Sequence, residues 1–117
     1  MYNIIFYKNE VKDYIEELAK RKNTNKEARI KFKKIIAYMD LLAKYGLKLN
    51  EPYIKHIENE IWELRPLKDR ILFATYENNM FIILNYFVKR TKKTPQNEIV
   101  KAKKRLKEYK KWREENG

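Results

Sequence analysis

The chain has 117 residues, 44% of them hydrophobic, no cysteine and a formal net charge of +12. The length predicts one domain over residues 1–117 with a modest core. The lack of cysteine excludes disulfide staples and cysteine-based metal sites, and no stretch approaches the roughly 18 apolar residues of a membrane span. The charge is uneven: residues 89–117 carry 12 Lys or Arg against 4 Asp or Glu, a net of +8, and the other 88 residues a net of +4. That asymmetry points to a polyanionic partner; the plainer reading is a solvated, lysine-rich helix.

In chain order, "YNIIFY" at 2–7 is apolar, aromatic and β-branched, the signature of a strand. The apolar run is too short for a signal peptide and charges follow at once, so a cytoplasmic protein is expected. Val11, Tyr14, Ile15 and Leu18 recur at helical spacing and predict a helix near 9–21. "TNKE" at 24–27 places Thr24 as N-cap with Glu27 three residues on. Ala28, Phe32, Ile35, Ile36, Met39 and Leu42 then stripe a second helix, near 25–45, which Gly46 closes. His56, the sole histidine, falls in a connection and is read as exposed, an outside candidate for chemistry.

From Ile61 the period changes to two, and "IWELR", "RILFATY" and "MFIILNYFVK" predict strands at 61–65, 70–77 and 80–89. Thr94 and Pro95 suit the start of a last helix. Its apolar side is Ile99, Ala102, Leu106, Tyr109 and Trp112, and Lys101, Lys104 and Lys107 lie on the solvent side. The expected fold is α+β, in the order β-α-α-β-β-β-α. It is a mainly antiparallel sheet with a helix pair on one face and a C-terminal helix.

A two-residue Asn78-Asn79 turn sets Tyr76 opposite Phe81, Ala74 opposite Ile83, Leu72 opposite Asn85 and Arg70 opposite Phe87. Ile71, Phe73 and Thr75, with Ile82, Leu84, Tyr86 and Val88, then make the core face under the helix pair. With a four-residue loop at 66–69, Arg65 pairs with Arg70, and Glu63, Arg65, Arg70, Asn85, Phe87 and Lys89 share the other face. Two arginines directly opposite each other are unfavourable. Either Glu63 bridges them while their stems cover apolar sheet, or the pair is a phosphate clamp, since guanidinium binds phosphate through paired donors. Phe87 beside them is either a platform for an unstacked base or minor core under the last helix.

"WELRPLKDRILF" followed by "NYFVKRTKKTPQNEIVKAKKRL" resembles the phage-derived HigB-like toxins of the RelE/ParE superfamily. The elements that carry the likeness are Glu63-Leu64-Arg65, Arg70, Phe87-Val88-Lys89-Arg90, Lys93-Thr94-Pro95 and Glu98; it is strong over 61–106. Two positions depart from the family pattern: Arg90 replaces a Lys, and Asn85 stands where a His is frequent, which removes one group able to transfer a proton.

The resemblance implies a type II toxin that cleaves mRNA on the translating ribosome and arrests growth. A helix-turn-helix (HigA-like) antitoxin would silence it, with a toxin–antitoxin hetero-oligomer as the resting form. The implied chemistry uses no metal and no cofactor: the RNA 2′-hydroxyl attacks the adjacent phosphorus. Arg65 and Arg70 would stabilise the charge of the transition state. Lys89 is the candidate base if neighbouring cations and burial tune it, and Glu63 is either that base or the group that orients Arg65. Phe87, Arg90, Lys92, Lys93, Lys101 and Lys104 are the candidate RNA contacts. Two alternatives stand beside this reading: a ParE-like, non-catalytic gyrase inhibitor, and a basic nucleic-acid-binding module without catalysis.

Overall fold

A computed structural model describes all residues, 1–117. Strand β1 (Asn3–Phe6) leads into helices α1 (Glu10–Arg21) and α2 (Lys26–Tyr45) and a 3-10 turn at Gly46–Leu49. Strands β2 (Ile54–Glu58), β3 (Ile61–Leu64), β4 (Asp69–Tyr76) and β5 (Met80–Val88) follow, and helix α3 (Gln96–Asn116) ends the chain. The five strands form one sheet in the order β1-β5-β4-β3-β2, antiparallel except for the β1–β5 pair. The α+β class agrees with the sequence reading. The addition is β2: His56 sits on this edge strand, exposed, with its ring 4.8 Å from that of Trp62. No helix is long and apolar enough to cross a membrane.

Both faces of the sheet are covered. Ile71, Phe73, Phe81 and Ile83 pack under α1 and α2 with Val11, Leu18, Ile35 and Leu42. Leu72, Ala74, Ile82 and Leu84 pack under α3 with Ala102, Leu106 and Tyr109. Two-sided burial explains why β4 and β5 read as near-continuous apolar runs.

The expected hairpin register holds at one end and fails at the other. Leu72 faces Asn85 and Arg70 faces Phe87, as expected, but Tyr76 pairs with Met80 and Ala74 with Ile82. The turn has three residues, Glu77 to Asn79, rather than two, with Glu77 at φ 55°. A bulge between Leu72 and Phe73 absorbs the extra step and leaves Leu84 without a partner on β4. So Leu84 and Ile82 lie under α3 instead of under the helix pair, while Tyr86 remains on the helix-pair side. The Arg70–Phe87 half keeps its expected face because it lies beyond the bulge.

Four local assignments also change. Asn25, not Thr24, caps α2, its side chain accepting from the Ala28 N–H at 2.9 Å. Pro95, not Thr94, occupies the N-cap of α3, which frees the Thr94 hydroxyl. Trp112 and Ile36, expected on buried stripes, are exposed. Gly46 ends α2 as expected, at φ 60°, with its N–H bonded to the Leu42 carbonyl.

Candidate functional site

The site is built where β3 passes into β4. Strand alternation turns Glu63 toward α3, opposite Leu72, and leaves it 1% exposed. A buried carboxylate must be paired or hydrogen-bonded to be tolerated, and Glu63 uses both oxygens. Oε1 accepts from Arg65 Nε at 2.9 Å and lies 3.9 Å from Arg70 Nε; Oε2 accepts from Thr94 Oγ1 at 2.7 Å. Glu63 therefore does bridge the two arginines. It also ties them to Thr94, in the basic segment that follows β5.

The two guanidinium groups differ in what remains free. The Arg65 backbone N–H is anchored on the Tyr53 carbonyl at 2.9 Å, and its side chain is 21% exposed with Nε held by Glu63. Its Nη groups make no hydrogen bond within the chain and are open to a ligand. Arg70 is buried, and its Nη1 donates to the carbonyls of Leu67 at 2.7 Å and Asp69 at 2.9 Å. Burial lowers the Arg70 guanidinium below its ordinary range, Glu63 opposes this, and Arg65 adds to it. Arg70 thus staples the Pro66–Asp69 turn, closed by the Asp69 N–H on the Pro66 carbonyl at 3.1 Å, with Leu67 at φ 57°.

A second polar cluster went unrecognised in the sequence. Asp69 is fully buried; its Oδ1 accepts from the Tyr14 hydroxyl at 2.7 Å and lies 3.8 Å from Lys31 Nζ, and its Oδ2 has no partner. Tyr14 stacks on Tyr86 with centroids 4.0 Å apart. Burial, then the Asp69 hydrogen bond, pushes the Tyr14 phenol well up, and burial does the same to Tyr86. The sequence signal was an acid placed directly before Arg70, but nothing in it pointed to a tyrosine on α1 as the partner.

The remaining expected site residues fall into two groups. Asn85 is fully buried, and its Nδ2 donates to the Glu98 carbonyl at 3.2 Å and to Glu98 Oε1 at 2.9 Å, fastening the first turn of α3 to β5. Phe87 is half-buried against the α3 cluster and, with Arg90, Lys93, Pro95 and Asn97, lines a groove of about 450 Å³. Lys89, Arg90, Lys92 and Lys93 are exposed between β5 and α3, the Lys89 N–H donating to the Lys68 carbonyl at 2.8 Å. Lys104 and Lys107 face solvent on α3. Lys101, its side chain 37% exposed, also lies 3.6 Å from both Glu10 Oε1 and Glu98 Oε1, at the α1–α3 junction. No three His, Cys, Asp or Glu side chains are grouped so as to hold a metal ion.

This arrangement presents one guanidinium with open donors, fixed from behind by a buried acid, beside a half-buried aromatic ring and an exposed basic segment. It is suited to holding a phosphodiester. Residues 9–107 match the family model described as "Phage derived protein Gp49-like (DUF891)". No curated protein matches the chain.

Proposed function

The chain belongs to the phage-derived Gp49-like family, a toxin–antitoxin-associated family of RelE-like proteins, and we propose that it is a toxin that cuts mRNA on the translating ribosome. In the proposed step the RNA 2′-oxygen bonds to the adjacent phosphorus as its proton leaves. The bond from phosphorus to the 5′-oxygen breaks, and that oxygen takes up a proton. The products are a 2′,3′-cyclic phosphate and a free 5′-hydroxyl.

The observation that carries this reading is the Thr94–Glu63–Arg65 chain of hydrogen bonds. A donor already aimed and unable to swing needs no reorganisation as charge develops on the phosphoryl oxygens. Glu63 has both oxygens engaged, which supports an orienting role over that of base. Lys89, exposed just past β5, lacks the burial a lysine base needs and is assigned to giving the leaving 5′-oxygen its proton. Phe87, Arg90, Lys92 and Lys93, with Lys101 and Lys104 on α3, are the proposed RNA contacts. A helix-turn-helix antitoxin is the proposed silencing partner.

Primer extension on mRNA in a purified translation reaction tests this. Cuts in register with codons, ending in a cyclic phosphate and a 5′-hydroxyl, are expected. Intact mRNA with damaged DNA gyrase would replace this reading with the non-catalytic one.

A further inference from the structure

We propose that the groove between the first turns of α2 and the Pro66–Asp69 turn is a docking site for an acidic, amphipathic protein segment. Its volume is about 820 Å³. Its floor is aliphatic: Ile30 is 45% exposed, Leu67 47% and Val88 42%. Its rim is basic, with Lys26 and Lys68 against the single acid Glu27, while Lys31 is turned inward to Tyr14 and Asp69.

Leu67 is the residue that makes this groove unusual. It stands at φ 57°, in the left-handed region where Gly or Asn is the ordinary occupant. A turn of this kind serves the fold equally well with a small polar residue, yet here it holds a large apolar side chain outward. An apolar centre with a polar, charged rim is the anatomy of a protein interface, and Lys26 and Lys68 on that rim select carboxylates on the partner. The chain's net charge of +12 favours the encounter from a distance. The floor argues against RNA as occupant, because single-stranded bases are held by aromatic faces and this groove has none. A helix with leucines at i, i+3, i+4 and i+7 flanked by glutamates fits such a surface. The occupant would lie against the turn whose Leu67 carbonyl holds Arg70 Nη1 at 2.7 Å.

The test reads binding and not cleavage, so its outcome is separable from the RNA-cutting proposal. The probes are fluorescein-labelled Leu/Glu amphipathic peptides of about 15 residues with differing leucine spacing, a charge-reversed Leu/Lys set and single-stranded polyuridine RNA. The full chain, labelled with nitrogen-15, is titrated with each. At least one Leu/Glu peptide is expected to bind with a Kd of about 1–10 μM and to shift the amides of Ile30, Leu67 and Val88. Leu67→Asn, which suits the left-handed backbone, and Lys68→Glu should each weaken it roughly tenfold or more, with unchanged thermal stability. Three results overturn the proposal: no Leu/Glu peptide shifts those amides, the Leu67→Asn chain binds as tightly as the parent, or only the RNA shifts them.

Discussion

Thr94 and Glu63, 31 positions apart, are joined by a 2.7 Å hydrogen bond from the threonine hydroxyl to the buried carboxylate. It makes the segment after β5 part of the support for Arg65. Thr94→Val should therefore act on the site as well as on the fold. Hydrogen bonds to charged groups contribute about 1.5–3 kcal/mol, so a loss of that size is expected in urea unfolding. RNA cleavage should fall further than RNA binding, because the misaimed donor matters more to the reacting state. Thr94→Ser should restore both; a serine variant as impaired as the valine one would show that the methyl group, not the hydroxyl, is what counts.

Arg65 and Arg70 are expected to separate under mutation. Arg65→Ala removes the guanidinium with open Nη donors and should lower cleavage roughly 10²–10³-fold, by analogy with deleting an oxyanion-hole donor; because it also takes the 2.9 Å partner from buried Glu63, it should cost about 1.5–3 kcal/mol of stability. Arg70→Ala strips partners from the Leu67 and Asp69 carbonyls and from Glu63. It should also destabilise the chain, by about 3–5 kcal/mol if it behaves as a broken buried pair. Circular dichroism in urea, run beside the cleavage assay, distinguishes them. Full toxicity in both variants would rule out the clamp.

Binding and chemistry should divide between α3 and the end of β5. Lys104 and Lys107 are the solvent-facing pair to neutralise, since Lys101 is held by Glu10 and Glu98. Their loss should weaken ribosome or RNA binding and flatten its salt dependence, by about 0.7–0.9 in log–log slope for each phosphate contact removed. Lys89→Met should instead keep binding and lose single-turnover cleavage at saturating ribosome. A normal rate in that variant would leave Lys89 as a phosphate contact only.

The bulge predicts an energetic pattern. Leu84→Ala should cost about 2–5 kcal/mol, and a double-mutant cycle should couple it to Leu106→Ala by about 0.5–3 kcal/mol. Leu84 and Leu106 share the α3 core, whereas Leu42 lies in the other. The cycle with Leu42→Ala should be additive, and strong coupling there would place Leu84 on the helix-pair face.

At alkaline pH the Tyr14–Asp69 contact should govern stability. The folded chain holds the Tyr14 proton above the ordinary value of 10.0 through burial and the Asp69 bond. The unfolded chain ionises first, so the folded state binds more protons over that range and stability falls as pH rises past about 10. The contribution is complete below that pH. Tyr14→Phe should flatten the alkaline limb while lowering stability at neutral pH by about 1–3 kcal/mol, because Asp69 loses a hydrogen bond in a buried setting. Urea midpoints across a pH series, with tyrosinate absorbance, read both effects.

By itself the sequence determined what short-range geometry controls. Period-two alternation put Glu63, Arg65 and Arg70 on one face, helical spacing marked α1 and most of α2 and α3, and Gly46 marked a helix end. It left β2 unseen, because "IKHIE" reads as a polar edge with little apolar alternation. Only the tertiary structure decided that Leu84 turns to α3, since a three-residue turn shifts the register and a bulge shifts it back at no site a periodicity count can find. Only it decided that Thr94 leaves the helix cap for Glu63, that Lys101 is drawn to Glu10 and that Tyr14 serves Asp69. Each is a choice of partner across a long stretch of chain. Local propensity offers such a side chain several satisfactory partners, and the packing of distant elements makes one of them the nearest.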